Sequence, residues 1–218
     1  MAHIVLLGDS IFDNAPYVPA GTQVQARLQS LLAGSGRVSL LARDGSVLAD
    51  LPEQLARLPA LPGAPDWLVL SCGGNDVLGL VGAMQTAVAS VIEAAQLLAA
   101  WQADFRRDYR RALDLLQATR VPFAVATIYD AVPSLDPGLR TALAPFNDVI
   151  VREAALRRLP LLDLRLVCDA REDYAAVSPI EPSARGGERI AAAIAHLVRV
   201  HDPAAAHTVV YGKAPGQI

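Results

Sequence analysis

Residues 4–10 read Ile-Val-Leu-Leu-Gly-Asp-Ser. Four consecutive aliphatic side chains with no polar alternation describe a strand covered on both faces. The Gly8-Asp9-Ser10 segment that follows sets a hydroxyl at the strand's carboxyl end. Four further runs have the same character: Val38–Leu41, Trp67–Cys72, Phe123–Tyr129 and Leu161–Leu164. Helical patterns lie between them. Thr22 is placed to cap a helix running to Leu32 before Gly34 and Gly36, and Asp50 with Glu53 reads as a capping box on a helix that stops before Pro59. A long helical stretch spans about Met84 to Thr119, with a break expected near Trp101; two more cover Leu139–Arg157 and Ser183–Arg199. Such alternation implies a parallel sheet with helices on both sides, a three-layer α/β/α sandwich.

The bulk numbers suit one such domain. The 218 residues are 53% apolar, enough for a layered core, and a net charge of −3 gives no reason to expect nucleic acid or an anionic membrane as partner. Residues 1–201 are read as the domain and residues 202–218, with Pro203 and Pro215, as a C-terminal extension on the surface. Cys72 and Cys168 form no Cys-x-x-Cys pair and are read as lone thiols. The start of the chain has no basic segment ahead of its first apolar run, so no signal peptide is read and a cytoplasmic location is expected. The apolar stretch Ala83–Ala100 carries Gln85, Glu93 and Gln96 and is too interrupted to span a bilayer.

In a parallel sheet, ligands bind beyond the carboxyl ends of the strands. That rule singles out Gly8-Asp9-Ser10, Arg43-Asp44-Gly45 and Gly73-Gly74-Asn75-Asp76 as tips converging on one crevice. Alone, the first reads as a cap and the third as a tight turn. Together they supply what acyl transfer needs: a nucleophile in Ser10, and oxyanion donors in the Ser10 N–H, the Gly45 N–H and the Asn75 amide. Ile11 and Phe12 after Ser10 exclude the Gly-x-Ser-x-Gly elbow.

These segments resemble the conserved blocks of the SGNH (GDSL-type) serine hydrolases. Gly8-Asp9-Ser10 resembles their nucleophile block, Gly45 falls where the second block supplies a glycine N–H, and Gly73-Gly74-Asn75-Asp76 resembles the block whose asparagine completes the oxyanion hole. The resemblance covers about Ile4 to Ala195. It implies a five-stranded sheet in the flavodoxin-like order 2-1-3-4-5, esterase-type hydrolysis of a small-molecule carboxylic ester through an acyl-Ser10 intermediate, and no cofactor. It also places Met84, Val88 or Val91, after the third block, against the acyl group. A catalytically silent binding protein and an acyl or acetyl transferase are the alternatives.

One block departs from the pattern. The family carries Asp-x-x-His before its last helix; here the matching loop is Ser178-Pro179-Ile180-Glu181-Pro182-Ser183, with Ser178 at the aspartate position and Glu181 at the histidine position. His3 starts the first strand, His196 and His201 belong to the last helix or its end, and His207 lies in the tail, so none is a ready substitute. Glu181 is therefore expected to be the general base; the other reading has it capping the last helix or pairing with Arg43 or Arg185. A carboxylate near pKa ~4.3 is a weaker base than imidazole near ~6.5 unless burial raises it.

Asp13, Asn14, Tyr129 and Ser178 are candidate pocket residues, with Tyr17 and Asp130 nearby, and Asn147 is expected to be a buried hydrogen-bonding group. Asp9, Asp13, Asp76 and Glu181 could be imagined around a hard cation, but Asp9 and Asp76 read better as holding their own turns, so no metal is expected. Arg106, Arg107, Arg110 and Arg111 read as a solvated helix face.

Overall fold

The computed structural model describes residues 2–216. Met1 and the last two residues of the expected extension lie outside the described residues. The first strand, β1 (Ala2–Gly8), pairs in parallel with β2 (Gly36–Leu40) on one side and β3 (Trp67–Ser71) on the other. Beyond β3 lie β4 (Phe123–Ala126), β5 (Leu161–Leu162) and β6 (Val210–Tyr211), so the order is 2-1-3-4-5-6.

The sixth strand corrects the five-strand expectation. The tail after His201 does not lie on the surface throughout: Val210 and Tyr211 pair in parallel with Leu161 and Leu162, and the Tyr211 ring is buried. Its hydroxyl sits 3.0 Å from His201 Nδ1. A two-residue strand among Pro and Ala is too short to leave a periodic signal in the sequence.

Alternation along each strand divides the core. Ile4, Leu6 and Val69 face one side, packing with Val24 and Leu28 of α1 (Val24–Leu31) and Ile190, Ile194 and Leu197 of α7 (Ala184–Val200). Val5, Leu7 and Leu70 face the other, against α2 (Leu51–Ala56), α4 (Val91–Ala118) and α5 (Pro137–Arg157). Two short helices, α3 (Gly74–Leu78) and α6 (Leu164–Val167), complete the helical set described.

Several boundaries move, each for a local reason. The α1 N-terminus is served not by Thr22, whose hydroxyl bonds to Pro19 C=O, but by the Asn14 side chain, which accepts from Val24 N–H at 3.0 Å. Asp50 accepts from Val47 N–H at 3.0 Å rather than boxing with Glu53. The long helix starts at the Ser90 cap, after a separate turn at Ala83–Gln85, and runs unbroken through Trp101. Capped by Asp136, α5 starts at Pro137, two residues before the expected start. The strand expected over Leu161–Leu164 stops at Leu162 because Asp163 opens α6. The arginine run is only partly a solvated face: Arg106 Nε lies 3.0 Å and Arg110 Nε 3.7 Å from the buried Glu153 carboxylate, tying α4 to α5.

Candidate active site

The pocket is built where the strand order reverses, between β1 and β3. Gly8 lies opposite Ser71, and Asp9 N–H donates to Ser71 C=O at 3.1 Å. Gly8 has φ +119°, and a Cβ there would stand 1.7 Å from Ser71 O. Only glycine lets β1 press so closely against β3. The buried Gln54 amide, which carries no local sequence signal, accepts from Gly8 N–H and donates to Gly8 C=O, both at 2.8 Å. Gly8→Ala is therefore expected to cost more than about 3 kcal/mol and to displace Ser10. Urea denaturation of the variant checks this, and a midpoint equal to that of the wild type would contradict it.

Past Gly8, Phe12 and Asp13 N–H both donate to Asp9 C=O, and Asp9 Oδ1 accepts from Ile11 N–H at 3.1 Å. Asp9 thus holds its own turn, and it also lines the pocket. Ser10, 7% exposed, sits in this turn, and its N–H makes no hydrogen bond among the described residues.

Gly73, at φ +118°, brings the chain against the Phe105 ring, which leaves no room for a Cβ, and α3 opens directly after it. The segment read as a turn is thus the start of a short helix. Asn75 Nδ2 donates to Ser46 C=O at 2.9 Å, which uses one of its two N–H bonds. Asp76 accepts from Leu48 N–H at 3.1 Å. These two bonds fasten the 43–48 loop to the end of β3. Gly45 sits in that loop at φ +77°, exposed, with its N–H unpaired among the described residues; it does not line the pocket.

The loop ahead of α7 is held on several sides. Tyr129 donates its hydroxyl to Ile180 C=O at 2.6 Å, Asn14 Nδ2 donates to Pro182 C=O at 3.3 Å, and Ala175 N–H donates to Glu181 C=O at 2.8 Å. Ser183, not Glu181, caps α7 by accepting from Gly186 N–H. Arg43 faces Asp50 and Glu53, and Arg185 faces Asp173, so neither pairs with Glu181.

Glu181 is 4% exposed, and its Oε2 is buried without a hydrogen-bond partner. Burial pushes its pKa from 4.5 up to about 7; the Ser10 hydroxyl, acting at hydrogen-bonding range, pulls it back, and the Asp44 charge adds a smaller upward push. The contact with Ser10 is loose, with no bond of full geometry closed between the two side chains. Catalytic contacts are often of this kind until substrate binds. Asp9 is raised further, to about 8, first by burial and then by the Glu181 and Asp76 charges. The carboxyl group that ionises second bears the repulsion of the first, so near neutrality this pair carries about one charge.

Ser10, Asn75, Tyr129 and Glu181 all line one pocket of ≈ 260 Å³. Its remaining walls are mostly aliphatic, including Ile11, Val77, Val81, Ile128, Val132 and Leu143. Sequence reading missed these walls, since buried aliphatics at strand and helix ends look like core. Asp13, Asn14 and Ser178 stand behind the pocket rather than in it. Asp13 Oδ2 accepts from Asp44 N–H, Asn14 bridges α1 to Pro182, and Ser178 C=O accepts from Glu181 N–H. Tyr17 bonds to Asp44, and the Asn147 amide pairs both Ile128 N–H and C=O at 2.8 Å, fixing the chain just past β4. Among the described residues, no histidine lines the pocket. His3 bonds to Ser39 at the far end of β1, and the His196 and His201 rings pack near Tyr211. Among the described residues, no cluster of three or more His, Cys, Asp or Glu is placed to hold a metal, and no helix is long and apolar enough to cross a membrane.

The sheet order, with the pocket at its switch point, is that of the SGNH-type fold. Over residues 6–189 the chain matches the model of the GDSL-like Lipase/Acylhydrolase family, a family of ester-type hydrolases, and it belongs to that family. The fold recurs in a member of the lipolytic protein G-D-S-L family from Veillonella parvula, with a TM-score of 0.65 at 16% identity over 92% of this chain and 98% of that one. LAE5, an alpha/beta hydrolase enzyme from the metagenome of Lake Arreo, gives a TM-score of 0.66 at 20% identity, covering 90% and 94%. An extracellular lipase from Streptomyces rimosus gives 0.60 at 16% identity, covering 86% and 95%. No curated protein matches the chain in sequence.

Proposed function

We propose that the protein is a serine esterase in which Ser10 is the nucleophile and Glu181 takes the place of the usual histidine. The observation that carries this reading is the Glu181 carboxylate. It is buried, faces Ser10 in one pocket, has no cationic partner among the described residues, and has a pKa raised to about 7. A carboxylate kept for structure would be expected to pair with an arginine or cap a helix; here Ser183 fills the cap and Arg43 and Arg185 are engaged elsewhere. Burial gives a glutamate the basicity of an imidazole, which suits proton transfer near neutrality.

In the first half-reaction Ser10 Oγ attacks the ester carbonyl carbon and its proton passes to Glu181. The developing oxyanion accepts from the Ser10 N–H and the free N–H of the Asn75 amide. As the tetrahedral intermediate collapses, the bond to the alcohol oxygen breaks and Glu181 returns the proton to it. Water then attacks acyl-Ser10, with Glu181 again as base, and releases the acid.

A fluorophosphonate probe tests the reading. Labelling that maps to Ser10, with turnover of a 4-nitrophenyl ester, supports it; an unlabelled, inactive protein overturns it. Asn75→Ala should lower kcat by roughly 10²–10³-fold, as loss of one oxyanion donor does. The same change removes the bond to Ser46, so the folded state is checked by circular dichroism. Unchanged turnover in the folded variant would mean that Asn75 only ties two loops together.

A further inference from the structure

The loop that carries Glu181 must be held closed by contacts other than those of its carboxylate. An ionised carboxylate buried with Oε2 unpartnered is drawn toward water. Nor would an aspartate at position 178 help. It could orient a histidine by accepting its N–H, but beside a glutamate it would only repel, and Ser178 stands there instead.

What the loop does have is a clasp. Residues 172–175 run against residues 181–183: Ala175 N–H donates to Glu181 C=O at 2.8 Å, Tyr174 bridges Pro182, and Ser183 N–H donates to Asp173 C=O at 2.8 Å. Ser183 Oγ adds a bond to Glu172 C=O at 2.6 Å. The clasp is fastened in turn at Asp173, which is fully buried. Its Oδ2 accepts from Ala170 N–H at 3.0 Å and from the Arg189 guanidinium at 2.7 Å. Arg189 is itself buried on α7 and also faces Asp169, which Lys213 of the tail holds at 2.8 Å. Arg185 Nε stands 3.5 Å from Asp173 Oδ1. Gly186 lets α7 lie against this segment, since a Cβ there would stand 2.0 Å from Asp173 O.

A buried ion pair is a poor device for stability alone, because desolvating both charges offsets their attraction and apolar pairs of like volume often serve as well. Its use lies in fixing one arrangement. We propose that Asp173 and Arg189 are positioning residues for the base, their ion pair anchoring the 172–175 clasp to α7 and so holding the Glu181 carboxylate against Ser10. The proposal rests on the esterase reading above. Neither residue lines the pocket. Nor does either set the Glu181 pKa directly: burial, the Ser10 hydroxyl and the Asp44 charge do, and Asp9, Tyr17 and Tyr129 are the other titratable groups that feel its charge. A change in Glu181 titration on cutting the pair therefore reports movement of the loop.

The test is the double variant Asp173→Asn with Arg189→Met. It removes both charges of the pair at constant net charge, and Asn keeps an acceptor for Ala170 N–H, so the tie to α7 is what is lost. With 4-nitrophenyl butanoate, kcat should fall at least about tenfold while KM stays within about twofold. The acidic limb should move from about pH 7 toward 4.5 as water reaches the carboxylate. A second readout needs no turnover. With the pair intact, Glu181→Gln should raise the thermal midpoint near about pH 8, because ionising the buried carboxyl costs the native state; in the double variant that gain should vanish. A folded double variant with wild-type kcat and limb would overturn the proposal, as would a persisting Glu181→Gln gain. So would lost activity with the limb unmoved, which marks a general loosening. Should the double variant not fold, Ala175→Pro cuts the clasp itself. It removes the N–H that Glu181 C=O accepts, and Tyr174, at φ −109° and ψ 143°, already suits a following proline. The same shifts are expected there, and their absence would overturn the proposal. If the wild type hydrolyses no ester, the esterase reading fails, and the thermal readout alone decides the clasp.

Discussion

Ser10→Ala is expected to lower kcat for a short 4-nitrophenyl ester by about 10⁴-fold or more and to abolish fluorophosphonate labelling. The size follows from what the variant keeps. The Ser10 backbone N–H, the Asn75 amide and the aliphatic pocket are unchanged, so binding and part of the oxyanion stabilisation survive, but no group remains to form the acyl intermediate. Glu181 would then have only water to activate. The change should leave the fold in place, because the Ser10 hydroxyl closes no hydrogen bond of full geometry within the described residues and the Asp9–Asp13 turn is held by backbone and by Asp9. A thermal midpoint within a few degrees of wild type checks this. Retained turnover would show that the nucleophile lies elsewhere. Labelling that moved to Cys72, which lines the same pocket, would show that the pocket is reactive but that Ser10 is not its nucleophile; burial pushes that thiol's pKa well up, so this is not expected.

The parts of this architecture that are legible in the sequence are those governed by short-range rules. Continuous aliphatic runs such as Ile4–Leu7 mark β1, β3 and β4 because a strand covered on both faces has no polar side to show. Glycine beside a polar residue at a strand end points to the pocket because close backbone approach excludes a Cβ, as at Gly8 against Ser71. Long-range contacts leave no such mark. Nothing local distinguishes Gln54, which completes the hydrogen bonding of Gly8 from 46 residues away, or Asn14, which joins α1 to the Glu181 loop across 168 residues. Nor can composition separate Leu143, which lines the pocket, from Phe146, which is sealed in the core one turn later. The tail strand at Val210–Tyr211 escapes notice for a different reason: its register comes from β5 and its anchor from His201, not from its own sequence.

Glu181→Gln separates a catalytic glutamate from a structural one because activity and stability should move in opposite directions. Gln keeps the size of the side chain but cannot accept the Ser10 proton, so kcat should drop by roughly 10²–10⁴-fold, the usual worth of a general base. In the wild type the acidic limb of the rate should follow Glu181, with activity falling about tenfold per unit below about pH 7, where the carboxyl group becomes protonated. The limb should persist in His196→Ala, His201→Ala and His207→Ala, since none of these residues lines the pocket. Above about pH 8 Asp9 ionises in turn, placing a second negative charge where the oxyanion develops, so the profile should be a narrow bell whose alkaline limb is lost in Asp9→Asn. Stability runs the other way. The folded carboxyl at about 7 lies above its ordinary 4.5, so between these values the native state holds its proton more tightly than the unfolded chain. Stability must therefore fall as pH rises through that window, and the ionised glutamate costs the native state on the order of 2 kcal/mol by about pH 8. Glu181→Gln removes that cost. It should raise the thermal midpoint near pH 8 and leave it nearly unchanged near pH 4, where both side chains are neutral. Fluorimetric melting curves at the two pH values decide the matter. A variant less stable than wild type near pH 8 would show that the carboxylate is paired and structural, and that the base for Ser10 must be sought elsewhere.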